Sequence, residues 1–190
     1  KNTPTEGVHF KSFASNVSKS KQTETLSVLA DKGMLPYLES HPLEQLQLNR
    51  SVGRGTSGYY SASRKSLAVG AARKESTFGQ AFEAGKSWSI SSAATTALEA
   101  SQRTLIHEVA HHIHLGTTQS GKDMDVGFAI ADAWQDAKKN PVTLYGATNH
   151  QEYFAESFAA YKYHRAALRE HDPVGFTMVE KVLALRGIAL

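Results

Sequence analysis

An α+β fold follows from three observations. Short strand-like segments separated by glycine- and serine-rich turns are concentrated in the first half of the 190-residue chain. Apolar residues at helical spacing fill the second half. No internal repeat divides the sequence, and its length suits one domain, 1–190, with a sizeable core.

Residues 1–20 are rich in Ser, Thr and Lys and are expected to be loosely held. A helix is predicted from about Gln22 to Lys32, ended by Gly33 with Pro36 beyond it. Leu43 to Val52, with Leu43, Leu46 and Leu48, reads as a strand, and Gly53, Gly55 and Gly58 form a loop. That glycine spacing lacks the strand-to-helix frame a phosphate-binding loop needs. Tyr59–Ala62 and Ser66–Val69 flank a turn at Ser63-Arg64-Lys65 and make a hairpin. Trp88 and Ile90 alternate with Ser87, Ser89 and Ser91, which reads as a further strand.

A long helix follows. Thr96 and Glu99 have capping-box spacing. Leu98, Leu105, Ile106, Val109 and Ile113 supply apolar faces, and Gly116 stops the helix after about five turns. Asp125 to Lys139 carries an apolar stripe of Val126, Ala129, Ile130, Ala133, Trp134 and Ala137, which is core, and Asn140-Pro141 ends it. A helix started by Thr148 with Gln151, or by Asn149 with Glu152, is predicted to run to about Glu170, where His171-Asp172-Pro173 closes it. Residues 176–190 form a last helix, broken by Gly187.

Composition narrows the function classes. Hydrophobic residues make up 41% and charged residues 21% of the chain, the balance of a soluble globular protein, and no apolar run is long enough to span a membrane. The absence of cysteine excludes disulfides and thiolate-bound metal. The chain opens on Lys1 without a signal peptide, which suggests a mature form or an excised domain. Net charge is +3; residues 1–90 hold 12 Lys/Arg against 7 Asp/Glu. These charges are scattered and do not alternate with aromatics, which argues for an ordinary solvated surface over nucleic-acid binding. Nothing in the sequence specifies an oligomeric state.

The chemistry resides in His107-Glu108-Val109-Ala110-His111, an H-E-x-x-H motif on the long helix. Residues four apart share a helix face, so both imidazoles can reach one metal ion while Glu108 leans toward it as general base. Catalytic zinc usually takes three protein ligands and one water. An H-E-x-x-H-x-x-G-x-x-H site is excluded, because positions 114 and 117 are His114 and Thr117. His112 lies off the metal face, and His112 and His114 read as accessory or structural. Asp123 and Asp125, expected in a loop, remain possible ligands. Glu152 and Glu156 are the better pair: they share a face of a later helix, where Glu152 could bind zinc and Glu156 could orient a ligand histidine.

The pattern Tyr145-Gly146-x-Thr148-Asn149-x-x-Glu152-x-Phe154-Ala155-Glu156-x-Phe158, a few dozen residues after H-E-x-x-H, resembles the catalytic domain of anthrax toxin lethal factor. Related domains occur in other bacterial toxins, Pro-Pro endopeptidases and phage-associated proteins. The resemblance covers roughly residues 97–160. It implies a zincin-like metallopeptidase fold: a small mixed sheet with an edge strand, an active-site helix and a C-terminal helical subdomain. It further implies a gluzincin with one Zn²⁺ per chain held by His107, His111 and Glu152, with Glu108 as base, Glu156 supporting a ligand and Tyr145 stabilising the oxyanion. His112 and His114 depart from the family pattern.

The expected activity is endopeptidase cleavage of a protein or peptide, held in extended form along the edge strand Ser87, Trp88, Ser89, Ile90 and Ser91. The competing reading is a non-catalytic binding or assembly module on the same fold. A secreted or delivered effector of bacterial or phage origin is the favoured setting.

Overall fold

The computed structural model describes residues 8–49, 58–70, 97–116 and 121–190. Four strands, β1 (Phe10–Phe13), β2 (Leu43–Asn49), β3 (Gly58–Ser61) and β4 (Ser66–Gly70), form one sheet in the order β1-β2-β4-β3. β1–β2 and β2–β4 are parallel, while β3 returns antiparallel on β4 with Tyr60 opposite Leu67. The predicted hairpin is present, and Lys65 at φ 47° closes its turn in the left-handed region. Mixed α+β architecture is therefore observed.

The N-terminal segment corrects the expectation of a loose tail. Residues 1–7 lie outside the described residues, but Phe10 pairs with Leu43 in the sheet and is buried, as is Val17. Two helices, α1 (Lys19–Asp31) and α2 (Leu35–Ser40), carry the chain from β1 to β2. The Ser18 side chain accepts the Lys21 amide and starts α1. Pro36, expected only as a stop signal, sits at the start of α2, where its missing N–H costs nothing.

Five helices complete the described chain: α3 (Ala97–Leu115), α4 (Gly121–Gln135), α5 (His150–Tyr163), α6 (Arg165–His171) and α7 (Pro173–Arg186). α3 packs on β3 and β4 on one side and on α5 on the other; α7 packs on α4, α5 and α6. Several boundaries differ from expectation; α4, for one, begins at Gly121 and not at Asp125. Asp136 accepts the Lys138 amide and ends α4 before Lys139. The helix from Asn149 does not reach Glu170, because His164 unwinds to φ −142°, ψ 50° and separates α5 from α6. Pro173 starts α7 earlier than expected, and Gly187 ends it in the left-handed conformation.

One hydrophobic cluster extends from Phe10 to Ile188. Ile106, Val109, Ala110 and Ile113 commit one face of α3 to it, so the remaining faces of α3 carry the polar residues. Buried Asp172 ties the C-terminal helices together. Its two oxygens accept the Tyr153 hydroxyl at 2.7 Å and the Asn140 amide at 3.1 Å, linking α5 to the start of the loop after α4.

Candidate metal centre

Three polar rows run along α3. His107 and His111 face α5, Thr104 and Glu108 face the β3 edge, and His112 faces α2 and β3. All four members of His107, Glu108, His111 and His112 are buried.

The row facing α5 meets its partners at the first turns of that helix. Asn149 caps α5, its side-chain oxygen accepting the Glu152 amide at 3.0 Å. This places Glu152 within the first turn and Glu156 one turn further. Glu152 Oε2 lies 3.0 Å from His107 Nε2 and 3.3 Å from His111 Nε2, and the two ring nitrogens are 3.1 Å apart. Among the described residues, none gives the buried Glu152 Oε2 a hydrogen bond of normal geometry. Three donor atoms thus converge on a common point instead of pairing off. Nitrogen and carboxylate oxygen in this spacing suit a small divalent cation such as zinc, whose bonds to such atoms are about 2.0–2.2 Å. His107, Glu108 and His111 also offer ligand atoms within 4.8 Å of one another, a looser group than the triangle with Glu152.

The far nitrogen of His107 is held. Nδ1–H donates to Glu156 Oε1 at 2.5 Å, which leaves Nε2 facing Glu152 and His111. Burial opposes charging this ring, but the Glu152 and Glu156 carboxylates outweigh it and push its pKa up to about 10. Burial acts to raise both carboxylates, yet their contacts with the histidines hold Glu152 and Glu156 below the usual carboxylate range. The cluster attracts positive charge. His111 Nδ1 is buried without a hydrogen-bond partner among the described residues.

Glu108 stands apart from the triangle. Burial raises its pKa to about 7, reinforced by Glu152 and Glu156 and opposed by His107. Its Oε1 would lie 3.0 Å from a Cβ on Gly58, so β3 approaches the carboxylate with backbone alone. Tyr145 reaches over the site from the loop, its ring centroid 5.8 Å from that of His107. Burial raises its pKa to about 12, with further contributions from the charge of Glu152 and a hydrogen bond to that carboxylate.

The loop is set by a residue that sequence reading missed. Thr143 Oγ1 donates to Glu156 Oε2 at 2.7 Å and accepts the Gly146 amide at 2.9 Å. A Cβ on Gly146 would lie 3.2 Å from both Glu156 Cβ and Thr143 Oγ1, so the backbone there passes close to both. A hydroxyl three residues before a turn glycine was the available signal. The expected alternatives to Glu152 fall away. Asp123 is in α4, not a loop, and its carboxylate is hydrogen-bonded by Arg186. Arg186 also donates to the Ile113 carbonyl at the end of α3. Asp125 is likewise in α4 and exposed.

His112 is structural. Nε2–H donates to the His41 carbonyl at 2.8 Å, and Nδ1 accepts the Tyr60 hydroxyl at 3.0 Å. Burial lowers its pKa to about 4. His114 packs edge-on to His150 and Phe154, and burial also lowers it to about 4. The expected edge strand, Ser87 to Ser91, lies outside the described residues.

Two histidines from α3 and a glutamate from α5, all converging, define a candidate metal centre. The family model for "Anthrax toxin lethal factor, N- and C-terminal domain" matches residues 72–182, more than half of the chain, and the chain belongs to that family. The description spans two domains of the toxin, so the match carries the family and leaves the chemistry to the residues. No curated protein matches the chain. Among the described residues no helix is long and apolar enough to cross a membrane.

Proposed function

We propose that the chain is a zinc-dependent endopeptidase of the gluzincin kind, built as one zincin-like domain. The supporting observation is the triangle of His107 Nε2, His111 Nε2 and Glu152 Oε2, each pair 3.0–3.3 Å apart, with the Glu108 carboxylate beside it. His107, His111 and Glu152 would hold one zinc ion. Bound there, zinc would supply Lewis acidity toward a carbonyl and lower the pKa of water.

The protein groups do the rest. Glu108, raised to about 7 by burial, accepts the proton of the attacking water and delivers it to the leaving amine. The Tyr145 hydroxyl donates to the oxyanion that develops on the former carbonyl. Its raised pKa keeps it protonated and able to donate near neutral pH. Glu156 fixes the His107 ring through Nδ1. The substrate is a protein or peptide bound extended, with residues 87–91 proposed as the strand that receives it. Family membership supports a secreted or delivered effector of bacterial or phage origin.

The test joins metal analysis to cleavage of a peptide library. Wild-type protein should bind one zinc and cut peptides, a chelator should stop cleavage, and zinc should restore it. Glu152→Ala should lose both metal and turnover. Stoichiometric zinc in that variant would move the third ligand elsewhere. Absence of zinc-dependent cleavage in the wild type would favour the non-catalytic module.

A further inference from the structure

We propose that Thr143 is a positioning residue that couples the turn carrying Tyr145 to the orientation of the His107 ring. The inference rests on the proposed zinc peptidase and goes beyond it, because Thr143 touches neither the metal-binding atoms nor the oxyanion donor.

The connection is a continuous chain of hydrogen bonds. The Gly146 amide donates to Thr143 Oγ1, Thr143 Oγ1–H donates to Glu156 Oε2, and Glu156 Oε1 accepts from His107 Nδ1. One hydroxyl therefore serves as acceptor on the loop side and donor on the helix side, the two roles a hydroxyl can hold together. Thr143 is buried, and its β-branched side chain has few rotamers, so the hydroxyl is fixed in direction.

Beside the Tyr145 contact with the Glu152 carboxylate, the other hydrogen bonds of this turn among the described residues stay within it. Thr148 holds the Tyr145 carbonyl through its hydroxyl at 2.6 Å and its amide at 3.1 Å, which closes the turn on itself but does not attach it to α5. The Ala147 amide reaches back to the Thr143 carbonyl at 3.2 Å, again within the turn. Thr143 Oγ1 makes the hydrogen bond from this turn to the carboxylate that steers His107. The close approach of Gly146 to Glu156 leaves little room for the turn to slide. A shift of the turn would thus be felt at the ring, and a rotation of Glu156 at Tyr145.

Thr143→Val keeps the shape and removes the hydroxyl; Thr143→Ser keeps the hydroxyl. Three readouts separate positioning from folding support. The first is zinc affinity by chelator competition, where Val should weaken binding about 10–100-fold, as loss of a group supporting a metal ligand does, and Ser should restore most of it. The second is the kcat against KM split at saturating zinc. Val should lower kcat with KM held, because an oxyanion donor acts in the transition state. The third is hydrogen exchange of the Gly146 amide in zinc-free protein, which should accelerate in Val and stay slow in Ser.

Wild-type zinc affinity, kcat and Gly146 exchange in the Val variant would overturn the proposal. If the wild type itself neither binds zinc nor cleaves, the peptidase reading fails separately. In that event Gly146 exchange and the His107 Nδ1–H resonance still decide the coupling: both must change in Val and recover in Ser.

Discussion

His107 and His112 lie five residues apart on α3, both buried, yet they use their rings in opposite ways. Each nitrogen of His112 has one partner with a matching role, a carbonyl to accept and a phenol to donate. Only the far nitrogen of His107 is settled in this manner; its near nitrogen faces another histidine nitrogen and a carboxylate oxygen. The same residue type on the same helix therefore forms a rivet in one case and, on the proposed reading, a metal ligand in the other. A buried histidine satisfied at both nitrogens reads as architecture. One satisfied at a single nitrogen, with other donor atoms crowding the second, reads as chemistry.

The contrast is tested most severely at Glu108. Glu108→Gln should keep zinc bound and reduce kcat by roughly 10²–10⁴-fold. Metal analysis with single-turnover cleavage checks this, and full activity would remove the general-base role. Next comes Tyr145→Phe, for which a loss of about 10²–10³-fold in kcat with unaltered zinc content is expected. An equal rise in KM without a fall in kcat would recast Tyr145 as a substrate contact.

On the other side of the helix the prediction reverses. His112→Leu strands the Tyr60 hydroxyl and the His41 carbonyl, and should lower unfolding free energy by about 2–4 kcal/mol in urea titration while zinc affinity stays where it was. Loss of zinc without loss of stability would erase the distinction. The smallest effect is expected at Gly116, where a Cβ would lie only 2.2 Å from His112 Nδ1. That Cβ would also lie 2.5 Å from the His112 carbonyl oxygen, so Gly116→Ala should destabilise by about 1–3 kcal/mol in urea titration by displacing both ring and backbone.

Much of this was legible in the sequence because it is local. The spacing of His107 and His111, the glycine stop at Gly116, the Asn149 cap and the shared face of Glu152 and Glu156 are consequences of helical period. The hairpin at Ser63-Arg64-Lys65 was legible for the same reason. What remained hidden depends on contacts between distant segments. β1 has too few apolar residues to announce itself and exists because β2 lies alongside. The break at His164 carries no glycine or proline. Asp123 looked available as a ligand until Arg186, far along the chain, took its carboxylate. Thr143 is an ordinary turn residue until α5 brings Glu156 beneath it.

Asp172 has a consequence for how a long molecule could enter. It grips the backbone where the loop leaves Asn140 and the phenol one position past Glu152, so both feet of the loop are bolted to a single block. The crest, Leu144 and Tyr145, stands in solvent, 51% and 53% exposed. On the proposed reading, an arriving polypeptide would meet an arch with rigid piers, and its exposed crest bears the hydroxyl.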